Sequence, residues 1–202
     1  MVAGREKPIE SATGLPELWL NPVSPHSAQV NAAPPQEVTK PPSPASVCNI
    51  TLRVNGRKHS LQVEANWPLR DVLRQKLGLT SVKDFCNGYG ACGSCTVIMD
   101  DRPVLSCMIL AAECDGAQIE TVEGIADSGH PLIEAYIMNW TAQCGYCTPG
   151  FVVTAKSLLD HNPNPREDEI KEALSGNLCR CGSYPAHIKA VQQAAARLRG
   201  EK

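Results

Sequence analysis

Several things are scarce in this 202-residue sequence. Positive charge is not in excess: 19 Lys and Arg against 21 Asp and Glu leave a formal charge of −2. That balance provides no basic footprint for nucleic acid or an anionic membrane surface. No uninterrupted apolar run reaches the roughly eighteen residues that a bilayer-spanning helix needs. The opening MVAGREKPIESATG holds neither an apolar stretch nor a twin arginine, so no export signal is visible and a cytoplasmic setting is expected. The five histidines are scattered, and none stands in a Cys–His or Ser–His spacing that suggests nucleophilic catalysis.

Cysteine, by contrast, is abundant. Ten are present: Cys48, Cys86, Cys92, Cys95, Cys107, Cys114, Cys144, Cys147, Cys179 and Cys181. A disulfide scaffold is usually shorter and exported, whereas clustered thiols in a reducing compartment more often hold metal.

Residues 1–46 contain nine of the sixteen prolines and no cysteine. This proline-rich extension reads as semi-rigid linker. Within it GLPELWLNP is apolar around Leu18, Trp19 and Leu20, which suggests anchors for a partner. From residue 47 the pattern alternates. CNITLRV and HSLQVE flank Asn55-Gly56, a hairpin signal. PLRDVLRQKLG has helical spacing and a terminal Gly78. A cysteine loop, the strand CTVIMD, a turn at DDRP and the apolar runs VLSCMILA and AQIETVEG complete a small α+β sheet domain ending near Gly124.

Beyond it, over 125–202, the period is helical. PLIEAYIMNW puts Ile133, Ile137 and Trp140 on one side; TPGFVVTAKSLLD offers Thr148 as cap with Pro149 opening the helix. NPREDEIKEAL repeats the device with Asn164 and Pro165, and a last helix from about Pro185 carries Ile188, Val191, Ala195 and Leu198. The expectation is a second, all-α, four-helix domain.

Each domain owns four cysteines in a pattern. Cys86, Cys92, Cys95 and Cys107 form C-x5-C-x2-C-x11-C, close to the plant-type [2Fe–2S] spacing. Gly88, Gly90 and Gly93 let the loop take positive φ and turn its N–H groups toward cluster sulfur. Structural zinc is the competing reading, but it usually takes two short C-x2–4-C pairs, and three ligands on one glycine loop favour iron. In the second domain Cys144 and Cys147 precede one helix, and Cys179 and Cys181 precede another. There N–H groups and the helix dipole stabilise thiolates. The spacing alone points to metal, with iron favoured.

Taken together, QCGYCTPGF, GNLCRCGSY, CGSCTV and VLSC resemble the iron–sulfur small subunit of the xanthine oxidase (molybdenum hydroxylase) family, over roughly residues 48–198. The resemblance implies a β-grasp, plant-ferredoxin-like domain followed by a helical [2Fe–2S]-binding domain. It assigns Cys86, Cys92, Cys95 and Cys107 to one cluster and Cys144, Cys147, Cys179 and Cys181 to the other. It also implies a large partner subunit carrying a molybdopterin cofactor, and a medium FAD-binding subunit or a cytochrome as acceptor. Gln143 resembles the glutamine that meets the pterin, and Cys181 the ligand nearest to it. The loop NGYGA supplies five residues between Cys86 and Cys92, where the family has four. A free-standing two-cluster ferredoxin and a zinc-stabilised adaptor are the alternative functions.

The remaining candidates read as bland. Cys48 and Cys114 are expected to be small buried apolar residues. His187 reads as a solvated helix residue, and Arg180 is balanced between offsetting cluster charge and ordinary exposure. Tyr146 and Tyr184 are expected to shield the helical-domain cluster.

Overall fold

A computed structural model describes residues 46–201. The expectation for residues 1–46 therefore falls almost wholly outside the described residues.

Strands β1 (Val47–Val54) and β2 (Arg57–Glu64) pair antiparallel from Val47–Glu64 to Val54–Arg57. The two-residue turn has Asn55 at φ 48° and Gly56 at φ 77°, the left-handed pair that matches strand twist. Ile50, Leu52 and Val54 alternate inward. Strands β3 (Thr96–Met99), β4 (Arg102–Leu105) and β5 (Gln118–Glu120) complete a mixed sheet of order β2-β1-β5-β3-β4. Only β1–β5 is parallel. The DDRP turn is a second left-handed pair, Asp100 and Asp101.

Three expectations change here. The 68–78 helix is α-type only in α1 (Leu69–Asp71) and widens to a π-helix over Val72–Lys76. Leu77 N–H reaches Val72 O, and Arg74 Nη1 bonds Thr80 O and Val82 O, tying the widened turn to the segment that enters the cysteine loop. Run VLSCMILA leaves the sheet at Leu105 for a 3-10 turn over Ser106–Met108. Run AQIETVEG is strand only to Glu120. Val122–Asp127 is helix α2, whose Glu123 carboxylate accepts from Ser81 N–H and the hydroxyls of Ser81 and Thr121.

The four expected helices follow: α3 (Pro131–Met138), α4 (Thr148–His161), α5 (Glu167–Leu174) and α6 (Tyr184–Leu198). Their details depart from the pattern. In α3 the buried side is Leu132, Ala135 and Tyr136, while Ile137 faces out, as does Trp140 just beyond the helix end. Nearly every residue of α3 is apolar, so spacing selects no unique face. Cys147, not Thr148, occupies the N-cap of α4. Helix α5 starts after Arg166, whose N–H donates to Glu169 Oε2, and Asn164 is not the cap. The buried stripe of α6 is His187, Ala190, Val191, Ala194 and Ala195.

Two apolar clusters result. One lies under the sheet, around Leu52, Leu69, Leu73 and Val97; the other gathers the helices around Phe151, Leu132, Ile170 and Val191. Ile98 of β3 belongs to the helical cluster, and Lys156 of α4 pairs with Glu120 of β5 at 3.2 Å. No helix among the described residues is long and apolar enough to cross a membrane.

Candidate metal centres

The sheet-domain loop runs through Asn87, Gly88, Gly90 and Gly93, all at positive φ (55°, 82°, 68° and 72°). Within this winding Tyr89 N–H donates to Cys86 O at 3.3 Å, and the N–H groups of Ala91, Tyr89 and Cys92 act on the Cys86 thiol. Burial alone raises the Cys86 thiol, but these donors and the Cys92 thiol outweigh it and bring it down to about 7. Cys95, buried on the same loop, is pushed up to about 12 by burial, with the Cys107 thiol and Cys92 adding. Cys107 arrives from the turn after β4, which Ser106 secures by donating its hydroxyl to Cys95 O at 2.7 Å. The four sequence-predicted residues thus share one neighbourhood.

The helical set forms where two helices begin. Cys147 caps α4, and Cys179 and Cys181 lie in the turn leading into α6. Cys147 and Cys179 sulfurs and a ring nitrogen of His187 lie within 4.8 Å of one another. Burial pushes the Cys147 thiol up to about 12, with Cys179 and Cys144 adding. Burial also raises Cys179, yet the Ser183 hydroxyl and N–H, the Cys147 thiol and the Cys181 N–H bring it down to about 7. Cys144 is exposed, as is Gln143 beside it, and Cys181 is half-buried.

Eight thiols divided between two neighbourhoods form donor sets of the kind that iron–sulfur clusters take. In each set burial raises one thiol (Cys95, Cys147) while hydrogen-bond donors lower another (Cys86, Cys179). Crowded thiols of this kind cannot all ionise against one another, and a cationic core relieves that conflict while drawing off the remaining protons. The donor sets fit the group.

The two sets meet at a close junction. Leu178 N–H donates to Cys92 O at 2.9 Å, and Asn177 Nδ2 donates to Gly93 O at 3.1 Å. A Cβ on Gly93 would lie 2.6 Å from Gly176 O, and one on Gly150 would lie 2.3 Å from Gly93 O. Glycine at both positions lets the backbones touch. Tyr146 adds a third tie: its hydroxyl donates to Asp84 O at 2.7 Å and its ring meets Phe85.

Several of these contacts were not legible in the sequence. Tyr146 braces the junction, and the Tyr184 hydroxyl accepts from Cys179 N–H at 2.8 Å. His187 is fully buried, contrary to its reading as a solvated residue: its ring stacks on Phe151 at 4.0 Å and 6°. Burial holds that imidazole well below its usual range, at about 4. Arg180 is exposed. Cys114 is buried as expected, with its thiol near Leu110 O and pushed up to about 11; half-buried Cys48 bonds Val63 O. Neither reaches a cysteine set, and all ten cysteines are free of disulfides.

Comparison with known proteins agrees with this geometry. Residues 52–124 match the family described as 2Fe-2S iron-sulfur cluster binding domain, and residues 121–192 match the [2Fe-2S] binding domain. The chain is 47% identical to the nicotinate dehydrogenase small FeS subunit of Eubacterium barkeri, over 73% of this chain and 95% of that one. Its structure is similar to that of quinoline 2-oxidoreductase from Pseudomonas putida 86 (TM-score 0.71, 40% identity, covering 77% of this chain and 99% of the other). It is also similar to the aldehyde oxidoreductase of Desulfovibrio desulfuricans (TM-score 0.73, 47% identity), where 76% of this chain corresponds to only 17% of a longer polypeptide. A ferredoxin-like sheet and a helical module, in this order and at these identities, mean that the chain belongs to the [2Fe–2S] small subunits of the xanthine oxidase family, the electron-transfer subunits of molybdenum hydroxylases.

Proposed function

We propose that this chain carries electrons from a molybdopterin site on a large partner subunit to a medium FAD-binding subunit, or a cytochrome in its place. In this reading Cys144, Cys147, Cys179 and Cys181 hold the cluster that is reduced first. Cys86, Cys92, Cys95 and Cys107 hold the second, and residues 47–124 and 125–202 are the two modules. When bound, each cluster supplies a one-electron couple. The chain's residues hold the two at a set separation, shield them and dock the neighbouring subunits; no substrate is bound here.

The observation that carries the reading is the hydrogen bond from Leu178 N–H to Cys92 O. Leu178 is bonded to Cys179, so one ligand backbone of each set is joined through a single hydrogen bond. The exposure of Gln143 and Cys144 supports a partner-facing entry, with Gln143 contacting the pterin and Cys181 as the nearest ligand. Gln143→Ala in the intact complex should slow reduction of the helical-domain cluster by substrate while iron content and both paramagnetic signals persist. A chain that purifies alone with both clusters, and with no molybdenum-bearing partner, would select the free-standing carrier instead.

A further inference from the structure

Ser183 occupies the N-cap of α6, where a serine ordinarily accepts an N–H from the first turn of its own helix. Here it makes no such bond. Its hydroxyl lies 3.2 Å from Cys179 Sγ on one side and 3.2 Å from His187 Nε2 on the other. All three residues are buried. His187 follows Ser183 by one helical turn and is clamped between Phe151 and Tyr136, and its Nδ1 has no hydrogen-bond partner.

We propose that Ser183 and His187 form a hydrogen-bond relay onto the Cys179 sulfur that sets the reduction potential of the helical-domain cluster. The inference rests on the reading that Cys179 is a ligand of that cluster. A ligating cysteine is a thiolate and offers only lone pairs, so the Ser183 hydroxyl must donate to it. That donation consumes the one hydroxyl proton, and the oxygen then faces His187 as acceptor. The imidazole therefore carries its proton on Nε2, and the unpartnered Nδ1 is a bare lone pair rather than a stranded N–H. His187 is a positioning residue: it fixes the hydroxyl rotor toward sulfur and polarises it, since linked hydrogen bonds strengthen one another in a low-dielectric interior. A donor on a ligand sulfur stabilises the more negative, reduced state, so the relay raises the potential of this cluster and makes it a better acceptor.

The test is a redox titration of the purified, cluster-loaded protein in its complex, following the two paramagnetic signals separately. Ser183→Ala should lower the helical-domain potential by about 59 mV, a tenfold change in a one-electron equilibrium, and leave the sheet-domain potential in place. Ser183→Thr, which keeps a hydroxyl, should restore it. His187→Phe, which keeps the stack on Phe151, should lower it less. The double variant should match Ser183→Ala alone, because His187 acts only through Ser183.

An unchanged potential in Ser183→Ala, or equal shifts of both clusters, overturns the relay. So does loss of the helical-domain signal in Ser183→Ala, which would make the serine a structural support. Strong nitrogen hyperfine coupling that disappears in His187→Phe would also overturn it, by making His187 a direct iron ligand. Should His187→Phe fail to fold, the Ala and Thr variants of Ser183 decide alone. Failure of the ligand reading is separately visible, as a helical-domain signal that survives Cys179→Ser.

Discussion

Leu178 donates its backbone N–H to the carbonyl of Cys92 across 2.9 Å, in a junction that has no room for a side chain at Gly93. Gly93→Ala would place a methyl 2.5 Å from Asn177 Nδ2 and 2.6 Å from Gly176 O, on a residue at φ 72°. We expect a loss of roughly 2–4 kcal/mol, from overpacking and left-handed strain together. Thermal unfolding reads the loss, and both paramagnetic signals should change because the junction touches both cysteine sets. Asn177→Ala, which only removes a buried hydrogen bond to Gly93 O, should cost about 1–3 kcal/mol. A Gly93→Ala protein as stable as the parent would show that the loop yields freely.

The ligand sets make a prediction in iron. Two [2Fe–2S] clusters bring about four irons per chain, two from each set. Cys92→Ser should abolish or distort one paramagnetic signal and Cys179→Ser the other, each lowering iron toward half. Metal analysis finding zinc in place of iron would defeat the assignment.

Cys48→Ala and Cys114→Ala should leave iron content and both signals intact. Cys114 is buried beside Leu110 O, so its replacement should cost about 1 kcal/mol, typical of a small core change. Loss of either signal would mean that a ligand had been misassigned.

Part of the fall in stability on mild acidification should come from His130. Its Nδ1 accepts Leu132 N–H at 3.2 Å and caps α3. Burial, with Lys156 adding, holds this ring below its ordinary 6.5. The unfolded chain therefore binds the proton more readily, and the stabilisation is complete above about pH 6.5 and lost as pH drops below it. A protonated Nδ1 cannot accept the capping bond. His130→Asn keeps an acceptor at the cap without titrating, so melting temperatures from pH 7 to 5.5 should fall less steeply. The difference should not exceed about 1 kcal/mol, the worth of a cap. Parallel slopes would remove His130 from the account.

Local chemistry was the legible part of this molecule. Asn55-Gly56 announces its hairpin because only left-handed residues close a two-residue turn there. The two cysteine sets stand out in the sequence because short spacings between thiols survive any tertiary arrangement. What was hidden depends on elements that meet from afar. His187 looks like any polar residue on α6, and only the approach of Phe151 and Tyr136 from other helices makes its site dry. Gly93 reads as loop flexibility and Gly150 carries no signal in the sequence, yet both are small because two backbones separated by more than fifty residues touch there. The buried side of α3 was ambiguous for the opposite reason, since its apolar residues surround the helix.

Ile98 draws one more consequence from the fold. It is rooted in β3 but its side chain lies among the helices, and the Lys156–Glu120 pair spans the same seam. Splicing this sheet onto a foreign bundle after Gly124 would leave Ile98 without a roof and Lys156's counter-charge stranded. Heat should accordingly dismantle both halves in a single calorimetric event, so that the molecule melts as one body although its cysteines divide it in two.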